Sequence, residues 1–385
     1  MTSKLLLTVA LGCTVIDLCF STAPAQLAAD AWKEPQDTFS SLFEPDRYAW
    51  RLFIALNWPA NTATKEADAG KAFGADGPVV WETWRNVRPQ APDTVFPVDG
   101  SDPGPWLGGA GPVVAQEQQR FDRVLPTQQA VAALAQRRVK PSPPVPSFDG
   151  GLGGEVRMNK STYEFIRAKK LFNVEGQIAQ FNAGEVNLNF PPNAKEIKAE
   201  WRTIDPSEKP RYHWTEVVRT DGSREVWGLS ALHIITKDLP NWFWATFEHI
   251  DTKPPNPVGP GWQFPSVDRV ACPLPPHGCE QAPTGIGLQG TKWEHYRLRG
   301  TQIDFITSSG FPTQLSNSQL EAVQNSSCMT CHAMATIDRD GGTFGFQFIK
   351  GSPQPSWFQN AQGQRIFVQQ DFVFSLTRAS RANPP

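Results

Sequence analysis

The sequence predicts an α+β protein: an antiparallel, β-rich core with peripheral helices and long Pro/Gly loops. Three observations point there. Between Glu185 and His249 the chain reads mostly as short strand-like runs broken by turn residues. The 35 Pro and 30 Gly of its 385 residues are spread widely, which disfavours a bundle of long helices. The longer stretches that read as helices precede that run. The 14 Trp and 24 Phe can bury a large area, enough for a sizeable core in one large or two ordinary domains.

Taken in order, residues 1–25 read as a secretory signal. Lys4 precedes an apolar stretch from Leu5 to Phe20, and Ser21-Thr22-Ala23-Pro24-Ala25 supplies the small residues of a cleavage site after Ala25. A membrane anchor is the alternative, but the stretch is short for a span and carries Asp17. Residues 26–140 form an N-terminal helical or irregular region rich in Trp. It holds a helix near Asp46–Asn57, with Asp46 as N-cap and Trp50, Phe53, Ile54 and Trp58 as a buried anchor. Trp81, Trp84 and Trp106 follow among prolines, and residues 114–138 are helix-like. Lys140–Gly154 is the best boundary, and residues 155–385 form a β-rich region. The two regions are separate, or one continuous domain over 26–385.

In the second region Asn159–Phe172 reads as a helix. Strands are expected at Val186–Phe190, Ile197–Thr203, Trp214–Arg219, Glu225–Ile235 and Trp242–Ile250, with a hairpin signal at Thr220-Asp221-Gly222. Asp251–Gly290 is a long Pro/Gly loop. Such loops are usually functional or tied down, and Cys272 and Cys279 are placed to form a disulfide within it.

The chemistry is carried by Cys328-Met329-Thr330-Cys331-His332, a C-x-x-C-H sequence that reads as attachment of one covalent haem c. Two thiols three residues apart can reach the two vinyl groups on one porphyrin edge. The next residue then sets an imidazole, His332, under the iron as proximal ligand. A thioredoxin-like pair would need a βαβ frame, and a zinc knuckle a second close ligand pair; neither surrounds this site. Overlapping capping-box patterns, Ser316 with Gln319 and Ser318 with Glu321, suggest a short helix leading to Cys328. Beyond it, Phe344, Phe346 and Phe348 alternate in a strand-like run, as a haem-pocket wall or as ordinary core. A single C-x-x-C-H argues against di-haem peroxidases and multihaem wires.

The iron's sixth ligand is open at this stage. Met334 lies too close to His332 to cross the ring, so the distal candidates are His249, His233 and Met158, or no protein ligand at all. His249 ends a strand-like run that shares a face with Phe243, Ala245 and Phe247. His233 is flanked by apolar residues, and His277 sits in the disulfide loop as a solvent-facing residue. For each, a hydrogen-bonded structural histidine is the competing reading. Two strong axial ligands suit electron transfer, whereas a vacant site admits small ligands.

Four stretches together carry a resemblance. They are Met158-Asn159-Lys160 through Glu175-Gly176-Gln177; Phe190-Pro191-Pro192 through Trp201-Arg202; Leu232-His233-Ile234-Ile235 through Phe247-Glu248-His249; and the Cys328–His332 motif. Over roughly residues 156–350 the chain resembles a poorly characterised family of exported bacterial proteins described only as cytochrome c family proteins. The resemblance implies covalent haem c on Cys328, Cys331 and His332, and draws attention to the run from His233 to His249. It implies no particular reaction.

Function is therefore expected to be electron transfer by a periplasmic or secreted monohaem cytochrome, alone or as a redox subunit, with a redox partner protein. The rival is a haem enzyme of peroxidase or oxygenase type with an open distal site, for which His249, Glu248 or His233 are acid–base candidates. A gas-sensing module is the third reading. Lys+Arg number 36 against 38 Asp+Glu, a net charge of −2, which offers no field for nucleic acid. Once the signal is removed, no apolar run of 18 residues remains to insert in a membrane.

Overall fold

The computed structural model describes residues 27–89, 91–106, 153–218, 223–252, 263, 265–266, 268–272, 279–317, 326–344 and 351–382. The expected signal segment, the 114–138 helix, the 220–222 hairpin turn, His277, and the runs at 318–325 and 345–350 lie outside the described residues.

The chain opens with α1 (Ser40–Phe43) and α2 (Pro45–Leu56). Helix α2 starts one residue ahead of the sequence expectation because Pro45, with its fixed φ, takes the first helical position. Glu44 is the N-cap and makes no capping bond with its side chain. Asp46 lies instead in the first turn, where it accepts from Thr301 Oγ1 at 2.9 Å. A two-residue hairpin, β1 (Ala60–Asn61) and β2 (Glu66–Ala67), leads through Trp81 to β3 (Arg85–Asn86).

After β4 (Gly153–Met158) come α3 (Lys160–Ala168) and α4 (Val174–Asn182). Their N-caps are Asn159 and Asn173, whose side chains accept from Thr162 N and Gly176 N. The sheet continues with β5 (Lys195–Ile204), β6 (Trp214–Val218), β7 (Arg224–Thr236), β8 (Phe243–His249) and β9 (Tyr296–Gln302). Helix α5 (Cys328–His332) and a short pair, β10 (Thr336–Ile337) with β11 (Val368–Gln369), complete the described elements.

The architecture is the expected α+β one. Seven strands form one antiparallel sheet: six lie in the order β3-β4-β5-β7-β8-β9, and β6 pairs with β7. Strand β7 is long enough to pair with β5 along one edge while its other edge is shared, Arg224–Gly228 with β6 and Ala231–Thr236 with β8. Val186–Phe190, expected as a strand, forms none: Asn187 makes a single bridge to Gln369, and the Phe190 N–H is taken by Asp371 Oδ2 at 2.8 Å. Pro191 and Pro192 follow at once and cannot donate to a ladder. Strands β3, β4 and β9 of this sheet fall outside the strands the sequence predicts.

The pleat divides the core in two. One face carries Ile197, Ala199, Leu232, Ile234, Phe243, Ala245, Phe247 and Leu298 against Tyr48, Trp50 and Phe53 of α2. The other carries Met158, Ile235 and Trp244 against Tyr163 and Ile166 of α3, Met329 of α5, Ile337 and Leu376. The Trp-rich N-terminal segment is thus the cover of the first face, and the C-x-x-C-H motif belongs to the second. Among the described residues no helix is long and apolar enough to cross a membrane.

Candidate functional site

Helix α5 is short because it is tied down residue by residue. Ser327 is its N-cap, accepting from Thr330 N at 3.2 Å. Gln302, at the end of β9 and fully buried, clamps it to the sheet. Its Nε2 donates to Ser327 Oγ at 2.7 Å, and its Oε1 accepts from Met329 N at 3.1 Å. Thr330 donates to the Gly351 carbonyl at 2.8 Å, and Met329 and Thr330 point inward. The i, i+3 spacing then sets Cys328 and Cys331 on one face, both partly exposed and neither in a disulfide. The one disulfide among the described residues is the expected Cys272–Cys279 pair, with Cα atoms 5.8 Å apart.

His332 closes the helix and is oriented from behind. Its Nδ1 lies 2.8 Å from the Phe372 carbonyl oxygen. A carbonyl can only accept, so Nδ1 carries the proton and Nε2 keeps the lone pair. The ring also meets Trp244 of β8 edge-on, with centroids 4.6 Å apart. The carbonyl is aimed by an unusual turn: Asp371 and Phe372 adopt φ of 47° and 67°, a left-handed conformation costly for a bulky residue. Two bonds hold it. Asp371 Oδ1 pairs with Lys237 Nζ at 2.6 Å, and Oδ2 takes the Phe190 N–H. Burial raises the Asp371 carboxyl above its ordinary range, partly offset by Lys237.

A cavity of about 150 Å³ opens beside His332. Val156, Ile235 and Phe374 give it apolar walls, and Glu196, Lys198 and Arg378 give it charge. Glu196 is 3% exposed; Ser375 Oγ donates to its Oε2 at 3.1 Å, and its Oε1 has no hydrogen-bond partner. Burial pushes its carboxyl up to about 7.

The distal candidates fall in different places. His249 faces α2, because the pleat of β8 carries it with Phe247 to the side opposite Trp244. Both its ring nitrogens are engaged: Nε2–H donates to the Arg211 carbonyl at 3.0 Å, and Nδ1 accepts from Asp251 N at 3.2 Å. It stacks on Tyr212 with centroids 3.6 Å apart, and burial pushes its pKa down to about 3. The structure therefore does not bring His249 to His332, and the strand alternation that suggested it points the wrong way. Glu248 is fully buried and ion-paired with Arg297 at 3.2 Å. His233 and Met158 do lie on the His332 side of the sheet. His233 sits two residues from Ile235, opposite Lys198, while Met158 is fully buried in the apolar cluster opposite Glu196.

These residues fit a covalent haem. An imidazole fixed at Nδ1 by a backbone carbonyl presents Nε2 to a metal, the usual arrangement behind a histidine ligand, and two accessible thiols flank it. Sequence reasoning missed the supporting groups Trp244, Phe372, Glu196, Lys198 and Arg378. The alternation of Glu196 and Lys198 with Ile197 and Ala199 in a central strand marked a polar face inside the protein. Nothing local marked Arg378. Compared with protein families, curated proteins and solved structures, the chain matches none.

Proposed function

We propose that this chain is an exported c-type cytochrome that holds one haem through Cys328 and Cys331, with His332 as proximal ligand, and transfers electrons alone or as a redox subunit. The observation that carries the reading is the 2.8 Å contact from His332 Nδ1 to the Phe372 carbonyl, added to the C-x-x-C-H spacing. Bound haem would supply a one-electron couple whose potential follows from axial ligands, hydrogen bonding and burial. The chain's part is to fix the imidazole, raise its basicity through Phe372 and keep water off its edge with Trp244. The Cys272–Cys279 disulfide is compatible with a periplasmic or secreted protein. A monohaem carrier needs only about 100 residues, so the larger chain offers surface for a redox partner.

A second reading, a haem enzyme with an open distal site, is favoured by two observations. His249 is engaged elsewhere, and Met158 is buried in the apolar cluster and does not line the cavity.

The test is the visible spectrum of the protein matured in a haem-attaching periplasm, recorded oxidised, reduced, and reduced with carbon monoxide. A low-spin spectrum indifferent to carbon monoxide is expected for electron transfer. A spectrum that shifts with carbon monoxide moves the reading to the enzyme. Absence of covalent haem overturns both and returns Cys328 and Cys331 to disulfide or metal chemistry.

A further inference from the structure

The Cys272–Cys279 disulfide joins two stretches that are anchored differently. On the Cys272 side the chain is held to the core by bonds that do not pass through the bridge. Asp268 is fully buried and accepts from Trp50 Nε1 of α2 at 3.1 Å, and Ser266 Oγ accepts from Thr301 N of β9 at 2.8 Å. On the other side, Cys279 is followed at once by Glu280, whose two carboxylate oxygens each meet an arginine of β9. Oε2 pairs with Arg297 Nη1, and Oε1 accepts from Arg299 Nη1 at 2.9 Å. Both arginine side chains are buried, whereas that of Glu280 is 51% exposed. For Arg299, Glu280 is the nearer carboxylate, since Glu248 Oε2 lies 3.7 Å from its Nε. Taking a carboxylate away from a buried guanidinium is costly.

Strand β9 carries that contact on to the C-x-x-C-H helix. Three residues beyond Arg299, Gln302 clamps α5 through Ser327 Oγ and Met329 N. We propose that the Cys272–Cys279 disulfide is a redox latch: opened by a dithiol, it frees Glu280 from Arg297 and Arg299, and so loosens β9 and its hold on α5. The step is a thiol–disulfide exchange. A thiolate of the dithiol attacks the sulfur of Cys272, which is partly exposed, and Cys279, buried at 2% exposure, leaves as the thiolate. The second thiol of the dithiol then displaces Cys272 from the mixed disulfide. Two electrons and two protons pass from the dithiol, which ends as a disulfide, to the two cysteines, which end as thiols. A neutral tie stays behind, from Gln281 Nε2 to the Ala271 carbonyl at 3.2 Å. Cys328 and Cys331 form no disulfide, so they give the dithiol nothing to open. The latch does not depend on the haem reading.

The experiment is amide hydrogen exchange of the full chain, untreated and after dithiothreitol, with alkylation of Cys272 and Cys279 followed by mass spectrometry. Ascorbate, which reduces haem iron but not a disulfide, is the control. After dithiothreitol the β9 amides and the Met329 amide are expected to exchange about tenfold faster, the low end for losing a charged hydrogen bond, while β5 keeps its rate. Glu280→Gln is expected to show the same rise with its disulfide intact, and dithiothreitol then to add less than about twofold. Cysteines that stay closed in the folded protein overturn the proposal. So do opened thiols with unchanged β9 exchange, and so does an equal rise in β5, which is global loosening. A rise given equally by ascorbate assigns the effect to the iron and overturns it too. A dithiothreitol effect as large in Glu280→Gln as in wild type assigns it to chain freedom rather than to the released carboxylate, with the same consequence. If Glu280→Gln does not fold, the wild-type arms alone still return each of the other results.

Discussion

Strand β8 serves two faces that differ in kind. Toward α2 it sends Phe243, Ala245 and Phe247, and rings close on them: Phe53 at 4.5 Å, Trp50 at 5.0 Å and Tyr48 at 5.2 Å between centroids. Polar atoms there are mostly bonded, the Trp50, Trp58 and Trp81 indoles each to an oxygen, with Trp293 Nε1 the exception. Toward α5 the same strand sends Trp244 to His332, next to a cavity in which Glu196 Oε1 has no hydrogen-bond partner. The first face is filled, and its contacts are repaid in stability. The second leaves room and a buried carboxyl oxygen without a partner, a cost that packing elsewhere must offset.

The largest effect expected from breaking this contrast is on the filled face. Phe53 is fully buried and touches Trp50, Phe247, Trp293 and Tyr296. Phe53→Ala should lower the unfolding free energy by about 3–5 kcal/mol in denaturant titration, while under the proposed haem reading the folded fraction keeps the wild-type spectrum. A changed spectrum would mean that the two faces are not independent.

A smaller loss of stability with a larger change at the site is expected from Asp371→Asn. Asp371 holds the left-handed turn that aims the Phe372 carbonyl, through Lys237 and the Phe190 N–H. Losing a charged hydrogen bond there should cost about 2–3 kcal/mol. With the carbonyl released, His332 loses its fixed tautomer, and under the proposed haem reading the spin state of the haem should change. A loss of stability with an unaltered spectrum would show that the turn only packs.

How far the sequence shows this contrast depends on the kind of residue. The strands at 195–204, 224–236 and 243–249 alternate or run apolar and are legible. Strand β9 is not, because Arg297 and Arg299 sit buried at 3% and 7% exposure, and a strand with two arginines reads as surface. Only their pairing with Glu248 and Glu280, set by the fold, makes that burial tolerable. Strand β4 opens Gly153-Gly154 inside a Gly-rich boundary, which hides it. At the site, Cys328, Cys331 and His332 stand out by spacing alone, because the C-x-x-C-H pattern is local in the chain. Phe372 acts through its carbonyl, which any residue has, and Arg378 approaches from 46 positions beyond His332, so neither leaves a local mark.

The smallest expected effect on the site is from His249→Gln, the residue that alternation made most suspect. His249 stands on the filled face with both nitrogens bonded, so the oxidised, reduced and carbon monoxide spectra should match wild type. Its contribution should surface in acid instead. Burial holds the folded pKa near 3, well below the unfolded value of about 6.5. A histidine depressed in this way stabilises the fold above the unfolded pKa. That stability drains as the pH falls toward 3, by roughly 1.4 kcal/mol for each unit crossed, because the unfolded chain takes the proton first. Glutamine has no such proton to take, so His249→Gln should cost about 1–3 kcal/mol at neutral pH, where Asp251 N or the Arg211 carbonyl loses its partner, and then flatten the acid limb. Chemical denaturation at a series of pH values between 7 and 4 reads both. A spectrum that moves with this substitution would couple His249 to the proposed haem across the sheet, and the separation of the two faces would fail.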